Sequence, residues 1–514
     1  MRRILIGFAA SLLMLHAAAA PAQQAQQAQP APVAPPAQFV STHRVNIGGP
    51  LAYRAVAGET HVRALDGNPA ASIFSISYLR EGVADRSARP VIFAFNGGPG
   101  SASFWLNMGM LGPRRVVLPA EAHGVGGGPV RLTDNGFSPL DVADIVLIDP
   151  VGTGYSHAIG GHADREFWGV AEDAEILANF VRQWLTDHGR WGSPKYLLGE
   201  SYGGTRAAVM TRALASEERG QVALRGLILI APGLDFQSLR TAAQYPLVSY
   251  GFLPTYAAVA WYHGRIPSAP ALEPLLAEAR AFAQNEYLPA LVRGQRMTTD
   301  ERAHIRRRLA FFTGLGEAWL EGVDLHVDPF RFMKELLRER GLTVGRLDGR
   351  YTGRDHDTGG ERPDYDASQA GYGPAFVAAI MQHMIGELGV RMERPYLALN
   401  RSGVKPHWNW RQPDAERWAS GMNPEWPVHL NVAPMIGDEM RRNADFRVLL
   451  ANGYYDLAIP FFSAENSMYQ TGMLPERVTF ANFPTGHMIY VDPHSLAALA
   501  AQVRSFVTAP APAR

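Results

Sequence analysis

The chain has 514 residues, of which 47% are hydrophobic, with 48 basic side chains balancing 48 acidic ones. That length supports a large core, and zero formal charge leaves no basic footprint of the kind that binds nucleic acid. Cysteine is absent, which excludes disulfides, zinc–thiolate sites and a thiol nucleophile, so the core must hold the fold unaided.

Arg2 and Arg3 precede a short apolar run, Ile4 to Leu15, and then the small residues Ala17 to Ala20. This is the pattern of a secretory signal peptide, read over residues 1–22. The run is too short to span a bilayer and lacks basic residues on its far side. Elsewhere no stretch of about 20 apolar residues occurs, so no stable membrane insertion is expected after cleavage. A periplasmic or secreted location is the expectation. Residues 23–39, Gln, Ala and Pro, have little to bury and read as a disordered tether. Residues 40–508 read as the globular domain and 509–514 as a flexible tail.

Val91 to Phe95 is a compact apolar run, followed at once by Asn96-Gly97-Gly98-Pro99-Gly100. Glycines there let backbone N–H groups approach a substrate, as an oxyanion hole requires. A phosphate cradle is the other use of such a loop, but no Walker lysine or second dinucleotide signature accompanies it. Ile145 to Ile148 is the next buried run, and Ala171 to Asp187 has helical periodicity, with Ala174, Leu177, Ala178, Val181 and Leu185 on one face. Tyr196 to Leu198 leads into Gly199-Glu200-Ser201-Tyr202-Gly203, and Arg206 to Leu214 reads as the helix beyond. A G-x-S-x-G between strand and helix can project a serine oxygen from the end of a sheet. Leu227 to Ile230 is a further strand. From about 237 to 443 long helical stretches appear, including 271–282, 300–312 and 332–340, read as an insertion or lid between sheet strands. Val448 to Leu450 leads to Asp456, and Val478 to Phe480 leads to Gly486-His487-Met488. The alternation predicts an α/β fold with a mostly parallel sheet. Ser201, Asp456 and His487 occur in the chain order of a nucleophile, an orienting carboxylate and a base.

Arg354-Asp355-His356-Asp357 reads as a solvated polar loop rather than a metal site, and no cofactor is expected. Trp408, Trp410, Trp418 and Trp426 read mainly as core packing, with a wall of the substrate pocket as the alternative use.

Taken together, FNGGPGSAS (95–103), DPVGTGYS (149–156), GESYGG (199–204), NGYYDLAIP (452–460) and GHM (486–488) resemble the serine carboxypeptidase family. The likeness runs over roughly residues 45 to 505 and suggests an exported, bacterial-type member. It implies an α/β-hydrolase fold with a helical insertion, and removal of single residues from peptide or protein C-termini through an acyl-enzyme. Ser201 would be the nucleophile, His487 the base and then acid, and Asp456 the orienting carboxylate. Gly98 and Tyr202 would supply the oxyanion-hole N–H groups. Asn96 and Glu200, with the Gly97 backbone, would bind the substrate's terminal carboxylate, Glu200 in its protonated form. The chain departs from the family at Ser101, Met110, Tyr454 and Ile489-Tyr490, where a cysteine, an acidic residue, an aspartate and Val-Pro are usual. The alternatives are an esterase or acyltransferase on the same scaffold, or a non-catalytic binding protein. Asn96 with Glu200 discriminates, because an esterase has no need of the pair. Oligomeric state and the preferred C-terminal residue leave no signal in the sequence.

Overall fold

The apolar runs become strands of one mixed sheet. The computed structural model describes residues 33–510, apart from 65–66, 120–121, 123, 125, 240–244, 267–270, 414–428 and 471. The signal segment, residues 23–32 of the tether, Trp418, Trp426 and residues 511–514 lie outside the described residues.

The long strands of the sheet are β1 (Gln38–Asn46), β2 (Pro50–Arg63), β3 (Pro69–Arg80), β4 (Val91–Phe95), β5 (Asp144–Ile148), β6 (Lys195–Glu200), β7 (Gly226–Ile230), β8 (Arg447–Gly453) and β9 (Val478–Phe483), and the short His157–Ala158 pairs with β3. Their spatial order is β1-β2-β3-β5-β4-β6-β7-β8-β9. β1 to β3 form an antiparallel meander, and β3 pairs antiparallel with β5. From β5 to β9 all neighbours are parallel. β4, β5, β6 and β7 are buried along their whole length. Their side chains point alternately into two apolar layers: Ile92, Ala94, Ile145 and Leu147 into one, Val91, Phe93, Phe95, Val146 and Ile148 into the other.

The tether expectation fails at its C-terminal end. β1 begins at Gln38, and the Glu59 N–H donates to the Ala37 carbonyl at 2.8 Å. Backbone pairing with β2, residue for residue, orders a segment that has few apolar side chains. The meander itself was legible as alternation, since Leu51, Tyr53, Ala55 and Ala57 are buried at period two.

The longer helices are α1 (Val170–Asp187), α2 (Tyr202–Leu214), α3 (Pro246–Tyr262), α4 (Leu272–Phe282), α5 (Thr299–Thr313), α6 (Pro329–Glu335), α7 (Ala367–Gln382), α8 (Ala433–Arg442) and α9 (Pro493–Thr508). α1, α2 and α8 cover one face of the sheet, while α7 and α9 cover the other. The segment between β7 and β8 therefore does more than form a lid. Only α3 to α6 build a separate apolar cluster, around Phe252, Leu275, Phe312 and Phe332, which reaches the sheet through Tyr454, Tyr455 and Leu457.

Parallel strands present their carboxyl ends along one edge. Four of those ends matter here: Phe95 of β4, Glu200 of β6, Gly453 of β8 and Phe483 of β9.

Candidate active site

Ser201 sits between β6 and α2 with φ 62° and ψ −125°, a conformation disfavoured for a side-chain-bearing residue. Its neighbours hold it there. The Ser201 N–H donates to the Ile230 carbonyl at 2.9 Å, and its own carbonyl accepts from Gly204 at 2.9 Å and Gly233 at 3.2 Å. The turn needs its glycines for space: a Cβ on Gly199 would lie 2.1 Å from the Gly203 carbonyl oxygen, and one on Gly203 would lie 2.6 Å from that of Phe95. α2 starts at Tyr202, four residues before the sequence-based expectation of Arg206, because the turn runs directly into the helix. A helix start leaves N–H groups without intrahelical partners, and Tyr202 heads that turn.

His487 Nδ1 and Asp456 Oδ2 are 2.6 Å apart, both buried. Asp456 Oδ1 accepts from the N–H groups of Ala458 at 2.7 Å and Ile459 at 3.0 Å, which fixes the carboxylate. The His487 N–H donates to the Leu347 carbonyl at 2.6 Å. Burial lowers the imidazole pKa, but the charge and hydrogen bond of Asp456, with the charge of Glu200, outweigh it and raise the value; Arg346 opposes them. With Asp456 holding Nδ1, Nε2 is the nitrogen left for chemistry.

Asn96, at the end of β4, is held at every polar atom. Its N–H donates to Ser103 Oγ at 3.3 Å, its carbonyl accepts from Arg206 Nη1 at 2.7 Å, and its Oδ1 accepts from the Leu106 N–H at 3.1 Å. A backbone N–H can only donate, so this bond orients the amide and turns Nδ2 toward Glu200 Oε1, at 2.8 Å. Glu200 Oε2 is buried without a hydrogen-bond partner. Burial pushes the Glu200 pKa up to about 7; the His487 charge and the Tyr490 and Asn96 side chains pull it down, and Asp456 adds to the rise. Gly97 packs on the turn, where a Cβ would meet Tyr202 N at 2.5 Å, and Gly98 follows with φ 113°. All eight expected site residues thus converge on one edge of the sheet.

A model of the family described as serine carboxypeptidase matches residues 73–267. Over that segment, less than half of the chain, the protein is similar to the serine carboxypeptidase family. Serine carboxypeptidase-like 29 of Arabidopsis thaliana is 28% identical over 189 residues, which is 34% of this chain and 36% of the relative. Pheromone-processing carboxypeptidase KEX1 of Cryptococcus gattii is 34% identical over 142 residues, which is 27% of this chain and 20% of the relative. The matches thus span about a third or less of these relatives, which are plant and fungal. The crystal structure of Kex1Δp, a prohormone-processing carboxypeptidase from Saccharomyces cerevisiae, aligns with a TM-score of 0.54 at 16% identity, covering 88% of this chain and 90% of that one. The shared fold is that of the α/β-hydrolases.

Ser201 lies between two cavities. The smaller, about 90 Å³, is polar and lined by Asn96, Glu200, His487, Arg346, Arg401 and Lys405, among others. The larger, about 380 Å³, is walled by Phe236, Phe252, Phe330, Trp410, Leu457 and Ile459, among others, with Gly98 and Tyr202, and Arg346 and Lys405 line both cavities. Trp410 is thus a pocket wall, while Trp408 is buried edge-on against Tyr202.

Several contributors were not singled out from the sequence as site residues. Arg206 lies beneath the site, its Nε on Asp173 Oδ2 at 2.6 Å and its guanidinium 5.2 Å from the Phe95 ring. Its place on the first turns of α2 was the available signal. Tyr490, noted only as a departure from the family, has a buried hydroxyl without an ordinary hydrogen bond, near enough to Glu200 to act on its charge. Tyr454, another departure, donates its hydroxyl to Glu273 at 2.9 Å, tying the Asp456 loop to α4. Met110 is fully buried in the core. Arg346 and Arg401 carry no local motif that marks them.

Proposed function

We propose that this protein is a serine-type carboxypeptidase that hydrolyses the last peptide bond of its substrates through an acyl-enzyme. Ser201 attacks the scissile carbonyl, and His487 takes its proton at Nε2 and later delivers it to the leaving amine. Asp456 holds the imidazole and stabilises its charged form. The N–H groups of Gly98 and Tyr202 receive the oxyanion. Water then enters where the amine left, and His487 runs the same proton transfer to release the shortened peptide.

The observation that carries the reading is the Asn96–Glu200 pair. A carboxylate entering the polar cavity meets the Asn96 amide edge and a glutamic acid whose Oε2 makes no ordinary hydrogen bond, with the Tyr490 hydroxyl near. With a pKa near 7, Glu200 can keep a proton and donate it to the substrate carboxylate. An enzyme acting on neutral esters would gain nothing from such a group.

The test pairs one peptide as free acid and as C-terminal amide. The free acid should lose its residues stepwise from the C-terminus by mass, at least about a hundredfold faster than the amide, the scale of two to three charge-assisted hydrogen bonds. Internal cleavage, or equal rates on acid and amide, would overturn the reading.

Export is part of the proposal and rests on Arg2, Arg3 and the apolar run that follows them. Among the described residues no helix is long and apolar enough to cross a membrane.

A further inference from the structure

The polar cavity carries more positive charge than one terminal carboxylate requires. Arg346 and Arg401 line it together with Lys405, Asn96 and Glu200. Arg401 donates Nη1 to the neutral Gln369 Oε1 at 2.9 Å, and neither it nor Arg346 forms an ion pair with a described residue. Asp366, the acid whose charge acts on Arg401, makes its hydrogen bonds elsewhere. It caps the start of α7 and accepts from the N–H groups of Arg346 at 3.0 Å, Leu347 at 3.2 Å and Ser368 at 3.0 Å, and from the Ser368 hydroxyl. Asp348, on the same segment, is spent on Arg350. The two guanidiniums also repel each other: burial lowers the Arg401 pKa and the charge of Arg346 lowers it further, with the charge of Asp366 opposing them. Like charges held together at the wall of a pocket are relieved by an anion between them.

The terminal carboxylate has its own donors in Asn96 and Glu200, so the anion that meets the arginines is a second one. We infer that the residue removed is acidic, its α-carboxylate held by Asn96 and Glu200 and its side-chain carboxylate by Arg346 and Arg401. This rests on the carboxypeptidase reading and names its substrate class: peptides ending in Glu or Asp. Guanidinium suits the role, since its planar fork matches a carboxylate and its charge does not titrate.

The test is a set of peptides with a common penultimate Phe and a terminal Glu, Gln, Leu or Lys. Glu and Gln have the same shape, so their ratio isolates charge. Terminal Glu should exceed Gln in kcat/KM by about tenfold or more, the scale of one hydrogen bond to a charged partner. Arg401→Gln and Arg346→Gln should each bring the ratio toward one, and Arg401→Glu should turn the preference toward Lys. The ratio is internal to each preparation, so a partly unfolded variant lowers both rates and leaves it unchanged. If all peptides are trimmed but wild-type Glu and Gln go equally fast, the acidic preference is wrong and the carboxypeptidase reading stands. If the arginine variants keep the wild-type Glu to Gln ratio, whatever their overall rates, the arginines do not hold the side-chain carboxylate and the inference falls. If no peptide loses its last residue, both fall together.

Discussion

Glu200 is the residue whose chemistry depends most on its surroundings. In water a glutamate ionises near 4.5; here burial moves it to about 7, against the pull of His487, Tyr490 and Asn96. The folded value lies above the unfolded one, so the fold favours the neutral acid. The stability contributed is complete below about 4.5 and is lost as pH rises through about 7. Binding follows the same sign. A free-acid peptide should bind Ser201→Ala protein with a Kd that rises above pH 7, approaching about tenfold per pH unit for a one-proton requirement. Titration calorimetry on Ser201→Ala with and without Glu200→Gln isolates the effect, because His487 titrates in both. The added substitution should flatten the curve; an unchanged slope would remove Glu200 from carboxylate recognition.

At the scale of elements, the site depends on two strand ends meeting. β8 and β9 run parallel in register to Gly453 and Phe483, and the loops beyond carry Asp456 and His487. Those loops touch at Gly453, where a Cβ would lie 2.1 Å from the Gly486 carbonyl oxygen and 2.4 Å from that of Thr485. Both obstacles are backbone, so the strain cannot be relieved by a side chain turning aside. Gly453→Ala should cost about 1–3 kcal/mol of stability, in the range of overpacked sites. It should also lower kcat by about a hundredfold or more through displacement of His487 from Asp456, the scale on which small misplacements act. Denaturant melts and single-turnover rates measure the two effects separately. Full kcat in a stable variant would show that the loops can part without harm. Sequence reading recovered the strands but not this contact. Gly453 stood inside a recognised segment, and only the packing of two distant loops gives it a reason to be glycine.

For the molecule as a whole, the segment between β7 and β8 decides what reaches Ser201. Helices α3 and α6 supply Phe252 and Phe330 to the larger cavity, and the loop of Asp456 supplies Leu457 and Ile459. Such a cavity fits an apolar residue on the acyl side of the scissile bond. Phe330→Ala should lower kcat/KM for penultimate Phe by about tenfold more than for penultimate Ala, the scale of part of one aromatic burial. An equal loss on both would assign Phe330 to packing alone. Arg346 and Arg401 come from the same long segment, so in the proposed reaction both sides of the scissile bond would be read by chain inserted between two strands.

The pairing of Asn96 with Glu200, 104 residues apart, was expected only from the family resemblance; by itself the sequence determined the buried parallel strands and the order of Ser201, Asp456 and His487. These are local patterns: apolar runs too short for helices, and glycines beside a chemical group at a strand end. Tertiary structure alone decided the rest. The depth of burial that moves Glu200, the Arg206 brace under Asn96, and the two arginines in the polar cavity all join residues far apart in the chain. No periodicity records such meetings, because they are set by how helices and loops pack on the sheet. The glutamate beside the serine is a letter in a motif until the fold surrounds it; its proton, and what it can bind, come from that surrounding.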